Sequence, residues 1–193
     1  GQATYAFYDE ATAGRMLSTD QLPTLPADIS TLFFGGISLV NDPAASTYEA
    51  LQARECATRV TMVDPNIRPG FIAGKEAEYR ARIERMVARA DIVKLSDEDS
   101  EWLYGSVDPQ AILAKGPKVV LVTEGAKGAT AYTARGAVSV AAPKIVVADT
   151  VGAGDTFNAG FLAALDRAGL LSKFAVATLS DDALRDALSL GTR

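Results

Sequence analysis

The residues best able to do chemistry stand together in Asp149-Thr150-Val151-Gly152-Ala153-Gly154-Asp155-Thr156-Phe157. Small residues at 152–154 let the backbone come close to a ligand. An amphipathic pattern begins at once, so free amides at a helix start, aided by the dipole, favour an anion there. Asp155 lies within that same first turn. A pocket that only bound phosphate would gain nothing from a negative charge at this point. One that removes a proton from a hydroxyl beside a phosphate would. The spacing alone also suits an ordinary Gly-rich turn with an acidic residue at a helix start.

Several other chemistries are closed to this chain. It has no histidine, which excludes a Ser-His-Asp or Cys-His site and a His-based zinc site. A general base must be a carboxylate, Lys, Tyr or Cys. Cys56 is the single cysteine, so there is no internal disulfide and no CxxC pair; its expected place is a buried helix position. A net charge of −5 lacks the basic stripe of a nucleic-acid surface. Gly152-x-Gly154 is followed by Phe157 where the dinucleotide fingerprint needs a third glycine, and Gly70-Phe71-Ile72-Ala73-Gly74-Lys75 is one residue short of a phosphate-binding P-loop.

Three further segments carry candidate ligands. Asp64-Pro65-Asn66-Ile67-Arg68-Pro69-Gly70 follows an apolar run, and ligands bind at strand ends in α/β sheets, where Arg68 suits a phosphate or carboxylate. A Pro-rich loop with a solvated arginine reads the same way. Val122-Thr123-Glu124-Gly125-Ala126-Lys127-Gly128 suits a tight hairpin turn. The segment Ala3-Thr4-Tyr5-Ala6-Phe7-Tyr8 alternates aromatic side chains, Tyr5 and Tyr8 among them, either as a half-buried strand or as an aromatic wall for a sugar. Gly35-Gly36-Ile37-Ser38 also ends an apolar run, and is a lesser candidate for approaching a ligand.

These segments need elements to hold them. Expected strands are Thr4–Tyr8, Thr31–Gly35, Arg59–Asp64, Asp91–Leu95, Lys118–Thr123, Ala129–Thr133, Ala137–Ala141 and Ile145–Ala148. The third to fifth are almost continuously apolar, as when helices cover both faces. Helical periodicity marks Pro43–Ala57, Glu76–Ala90, Asp97–Tyr104, Ala153–Ala168 and a last helix from Ser180 to near Gly191. The βαβα order predicts an α/β fold with a doubly wound, mostly parallel sheet flanked by helices. Residues 129–148 break the order and read as a meander turning at Ala134-Arg135-Gly136.

At this point a resemblance becomes specific. Asp149-Thr150-x-Gly152-Ala153-Gly154-Asp155-Thr156-Phe157-x-Ala159-Gly160-Phe161 is similar to the C-terminal signature of the ribokinase/PfkB carbohydrate kinases, and the segments above follow in that family's order. The resemblance implies a ribokinase-like fold over residues 1–193, incomplete at both ends, with 1–17 as a β-lid strand and its return. It implies Asp155 as catalytic base, with the backbone of Gly152, Ala153 and Gly154 as an anion hole. Thr123, Gly125, Gly128 and Gly154 would line ATP, and Asn66 and Arg68 would face substrate or phosphate beside Tyr5 and Tyr8. The family's N-x-x-E element falls on Ser96 to Asp99. That implies an indirect role for Asp99 with Mg²⁺, although the Asn is replaced and the acid is one methylene shorter. Asp149 and Thr150 would hold a monovalent cation such as K⁺.

The resemblance further implies ATP-dependent phosphorylation of a sugar, with fructose favoured. A 2-keto-3-deoxygluconate kinase and a non-catalytic sugar- or nucleotide-binding protein stay open beside it. Lid-bearing relatives often pair, so a homodimer is implied by analogy. No run approaches the roughly 18 apolar residues of a membrane span and residues 1–10 are unlike a signal peptide. The reading is therefore a cytoplasmic protein with neither membrane nor nucleic acid as partner.

Overall fold

The computed structural model describes residues 8–146 and 149–193. In chain order the elements are β1 (Thr31–Gly35), α1 (Ala44–Glu55), β2 (Val60–Asp64), α2 (Pro69–Ile72), α3 (Glu76–Arg89), β3 (Ile92–Ser96), α4 (Asp97–Tyr104) and α5 (Pro109–Leu113). They continue with β4 (Val119–Thr123), β5 (Ala129–Thr133), β6 (Gly136–Val140), α6 (Ala153–Arg167), α7 (Lys173–Ala177) and α8 (Asp181–Gly191). Among the described residues, six strands lie side by side in sequence order. The first four run parallel, β5 pairs antiparallel with β4, and β6 antiparallel with β5.

Strand alternation explains how the two layers of helices divide. On one face, Val63, Val93, Leu95, Val120 and Val122 pack with Tyr79, Ile83, Met86 and Val87 of α3, Leu103 of α4 and Ile112 of α5. On the other, Val60, Met62, Ile92, Val119 and Leu121 pack with Phe157, Phe161 and Leu165 of α6 and Leu184, Ala187 and Leu188 of α8. Both faces are thus dry, which is why the central strands are apolar at nearly every position. The α/β, mostly parallel arrangement expected from the sequence is the one observed.

Helix α6 lies unusually close to α8. A Cβ on Gly160 would fall 2.8 Å from both the Gly191 Cα and the Leu190 carbonyl oxygen. Backbone atoms cannot rotate away, so Gly160→Ala is expected to lower stability by about 1–3 kcal/mol. A fall in the urea midpoint with an unchanged m-value would show it.

Differences from the sequence reading are local. Ile145 and Val146 form no strand and are 71% and 98% exposed; Val147 and Ala148 lie outside the described residues. A β-branched run becomes a strand only where it finds an edge to pair with, and the chain has left the sheet after β6. Of the expected strand Thr4–Tyr8, residues 4–7 lie outside the described residues, and Tyr8 is in no strand and almost fully exposed. The following stretch returns against the start of α1: Asp9 accepts from Arg15 and Asn41, and the Thr47 hydroxyl donates to the Leu17 carbonyl. The short helices α2, α5 and α7 are additions. The last two are capped by Asp108 and Ser172, whose side chains accept from Ala111 N and Ala175 N.

Candidate active site

The parallel strands end at Gly35, level with Asp64, and at Ser96, level with Thr123, with β3 and β4 reaching two residues past the end of β2, and the candidate segments gather along this rim. The loop after β2 is the most firmly held. Asp64 Oδ1 accepts from Asn66 N at 3.0 Å, closing a turn in which Asn66 takes a left-handed φ of 42°. Ile67 N donates to Asp99 Oδ1 at 2.7 Å. Asp99 Oδ2 accepts from Ser96 N, and Ser96 Oγ accepts from Asp99 N, a reciprocal cap on α4. Tyr79 completes the brace: its hydroxyl donates to the Pro65 carbonyl at 2.7 Å. Burial pushes that hydroxyl's pKa up, and nearby Asp99 and Asp64 push it further, so it stays a donor throughout the physiological range. Asn66 is half-buried and Arg68 exposed; the Arg68 guanidinium donates to the Ile67 carbonyl.

Beneath this loop lies a buried polar cluster. Lys94 Nζ is 3.2 Å from Asp64 Oδ2, with both side chains about 5% exposed or less. Asn158 Nδ2 donates to the same oxygen at 2.7 Å. Burial pushes the Asp64 carboxyl up, Lys94 and Asn158 pull it down, and Asp99 adds to the rise. Alternation accounts for the grouping. Asp64 and Lys94 share the face of Val60, Met62 and Ile92, the face α6 covers, and the pairing of Val63 with Val93 puts them side by side one residue further on.

The start of α6 stands directly above. Gly152 caps it with φ 77° and supplies no side-chain acceptor. A Cβ on Gly154 would lie 3.4 Å from Lys94 Nζ, so the glycine keeps the first turn open to the buried cation. Ala153 N donates to the Thr150 carbonyl, and the helical ladder starts with Thr156 N to the Gly152 carbonyl. Among the described residues, the Gly154 and Asp155 amides have no acceptor, and the exposed Asp155 carboxylate has no hydrogen bond or ion pair. Asp149 and Thr150 are exposed at the approach to this turn, where Asp149 Oδ1 accepts from Val151 N.

The β4–β5 loop flanks the rim. Thr123 is half-buried beside Ser96, its partner in the sheet. Gly125 has φ 53° with open space around it. Gly128 has φ 112°, and a Cβ there would lie 2.1 Å from the Val140 carbonyl oxygen, so the hairpin itself requires that glycine. Gly36 serves a similar end. It is buried, and a Cβ would come 1.5 Å from the Pro65 carbonyl oxygen. Tyr8 is almost fully exposed, and Tyr5 lies outside the described residues. A cavity of about 370 Å³ lined by Leu113, Lys118, Arg135 and Val176 opens at the amino end of β4, away from the rim.

The sequence reading did not single out Lys94, Asn158 or Tyr79, nor Asp64 as a side chain with its own role. A signal was there: an acid and a lysine on the same strand face, inside otherwise apolar runs, and an amide on the apolar stripe of a helix. Asp99 is where the sequence put it, but each of its oxygens already accepts a backbone amide. Among the described residues, no group of three His, Cys, Asp or Glu is placed to hold a metal.

Comparisons place this geometry among known proteins. The model of the pfkB family carbohydrate kinases matches residues 6–191. The chain is 53% identical over 190 residues to a fructokinase of Rhizobium leguminosarum bv. trifolii, covering 96% of this chain and 58% of that one. It is 35% identical to a fructokinase of Klebsiella pneumoniae, covering 88% and 57%. In structure it is similar to the Vibrio cholerae O395 fructokinase bound to fructose, ADP and calcium (TM-score 0.79, 29% identity, 94% of this chain and 58% of that one). A double mutant of that enzyme was solved with fructose, ADP and potassium (TM-score 0.77, 29% identity, 94% and 59%). The chain thus spans less than two thirds of the length of the relatives it matches, and its fold is ribokinase-like, as in those kinases.

Proposed function

Since the chain belongs to the pfkB family of carbohydrate kinases, we propose that it supplies the catalytic turn and nucleotide rim of an enzyme that transfers the γ-phosphoryl of ATP to a hydroxyl of fructose. The observation that carries this reading is the pairing of acceptor-free amides at Gly154 and Asp155 with an unpartnered Asp155 carboxylate, over the buried Lys94 cation. A phosphate gains from the amides and the lysine; a hydroxyl proton gains from the carboxylate.

In the mechanism we infer, ATP lies along the rim near Thr123, Gly125 and Gly128, with its terminal phosphate at the turn of Gly152, Ala153 and Gly154. The sugar sits between that phosphate and the Asn66–Arg68 loop. Asp155 takes the proton of the attacking hydroxyl, while the amides and Arg68 offset charge on the transferring group. Positioning and electrostatics carry most of the barrier, so little is asked of the base itself. The described residues form no cage for a divalent ion, so Mg²⁺ fits this reading as a companion of the ATP phosphates, which it neutralises. Asp99 then acts on the ion only through the loop it holds. Asp149 and Thr150 are the residues we assign to a monovalent cation. Tyr5 and Tyr8 would wall the sugar, and a cytoplasmic homodimer paired through the lid completes the proposal by analogy.

The exposed guanidinium of Arg68 favours a second substrate, 2-keto-3-deoxygluconate, whose carboxylate would pair with it. One assay separates the readings: ADP release by the complete protein with ATP and fructose, 2-keto-3-deoxygluconate, ribose, tagatose phosphate or nucleosides. Fructose is expected to give the highest kcat/KM. A higher value for the keto-deoxy acid would select the second reading. A complete protein that binds sugar or ATP but releases no ADP would instead be a non-catalytic binding protein.

A further inference from the structure

We propose that Asp64 is a positioning residue that locks the loop on the sugar side and the helix on the phosphate side into one register. The inference rests on the kinase reading and extends it to a group that touches no reacting atom. Asp64 joins three elements: Oδ1 takes the Asn66 amide, and Oδ2 takes both the Asn158 side chain of α6 and Lys94 of β3.

Three observations carry it. Among the described residues, the bond from Asn158 to Asp64 is the one side-chain hydrogen bond α6 makes. Asn158 stands one turn after Asp155, so this bond, added to the packing of Phe157 and Phe161 on the sheet, fixes the first turns of α6 and where the unpartnered Asp155 points. Next, Asn158 Oδ1 is buried without a partner among the described residues. An apolar side chain would fill that position more stably, so the amide is kept at a cost. Finally, a buried ion pair is a poor source of stability, since well-packed apolar residues often replace one with no loss. The Asp64–Lys94 pair lies between the two halves of the site, where a fixed geometry serves the reaction more than the fold.

The test uses the complete protein with two changes that leave no unpaired charge. Asn158→Leu removes the helix arm alone. Asp64→Val with Lys94→Met removes the whole bracket as a neutral pair. The expected result is a kcat lower by about tenfold to a hundredfold in both, with the KM for sugar nearly unchanged; the thermal midpoint of Asn158→Leu is at or above that of the wild type, whereas that of the double variant falls, because the Asn66 amide and Asn158 Nδ2 lose their acceptor. Hydrogen exchange gives a readout independent of turnover: in Asn158→Leu, the amides of Asn66 and Ile67, on the other element, should exchange faster. Folded variants that keep wild-type kcat overturn the proposal, as does unchanged exchange at Asn66 and Ile67. If Asn158→Leu does not fold, Asn158→Ser, which shortens the arm so that it no longer reaches Asp64 and leaves Lys94 in place, decides by the same kcat and exchange readouts. Wild-type protein without sugar-dependent turnover would count against the kinase reading, and the exchange measurement would still settle this one.

Discussion

Asp155→Asn in the complete protein should lower kcat by about 10²–10⁴-fold and leave ATP affinity nearly unchanged. The split follows from where the carboxylate stands. It is exposed in the first turn of α6, beside amides without acceptors, and no described residue bonds to it. Removing its charge therefore breaks no internal contact. It also removes a negative charge from the turn we assign to phosphate, so nucleotide binding has no reason to weaken. What is lost is the acceptor for the hydroxyl proton, and an amide oxygen is far too weak a base to replace it. Isothermal titration with ATP and steady-state kinetics on the same preparations test both halves. Equal turnover in the two proteins would take Asp155 out of the reaction.

Gly36→Ala should lower stability by about 3 kcal/mol or more, at the upper end of overpacking effects. The added methyl would sit 1.5 Å from the Pro65 carbonyl oxygen and 2.7 Å from the Tyr79 hydroxyl. The first is backbone, and the second is already fixed by its bond to that same carbonyl. The chain after β1 must move away from the chain after β2, and that movement breaks the brace under the Asn66–Arg68 loop. Thermal unfolding should show a large drop in midpoint, and whatever protein remains folded should bind sugar more weakly. A midpoint within a few degrees of wild type would mean that the two loops separate easily.

Much of this was legible in the sequence, for physical reasons. Strands β2 to β4 announce themselves because both of their faces are dry, and α3 and α6 because one apolar stripe meets the sheet. The signature around Asp155 carries its own geometry: small residues and a helix start leave amides free wherever they occur. Other features depend on distant neighbours and cannot be seen locally. Gly36 looks like a residue spared for a ligand, yet what it spares room for is the Pro65 carbonyl. Ile145 and Val146 have strand composition but no edge to join. Asp99 reads as an acid at a helix start with an indirect part in Mg²⁺ binding, and nothing local tells that its two oxygens hold the amides of Ile67 and Ser96. The Asp64–Lys94–Asn158 cluster needed strand alternation applied to polar positions as strictly as to apolar ones.

The two helical layers come from different stretches of chain, and this sets a timetable for folding. Sheet and first layer are finished by residue 140, whereas the second begins only at Ala153. The bond that joins Asp64 to Asn158 spans 94 residues, a long loop whose closure opposes early formation. A growing chain therefore has these strands before the Gly152–Asp155 turn exists. Until α6 emerges, Met62, Ile92, Val119 and Leu121 present a bare oily surface open to other chains. Nascent or shortened forms ending before Ala153 should need a chaperone or aggregate.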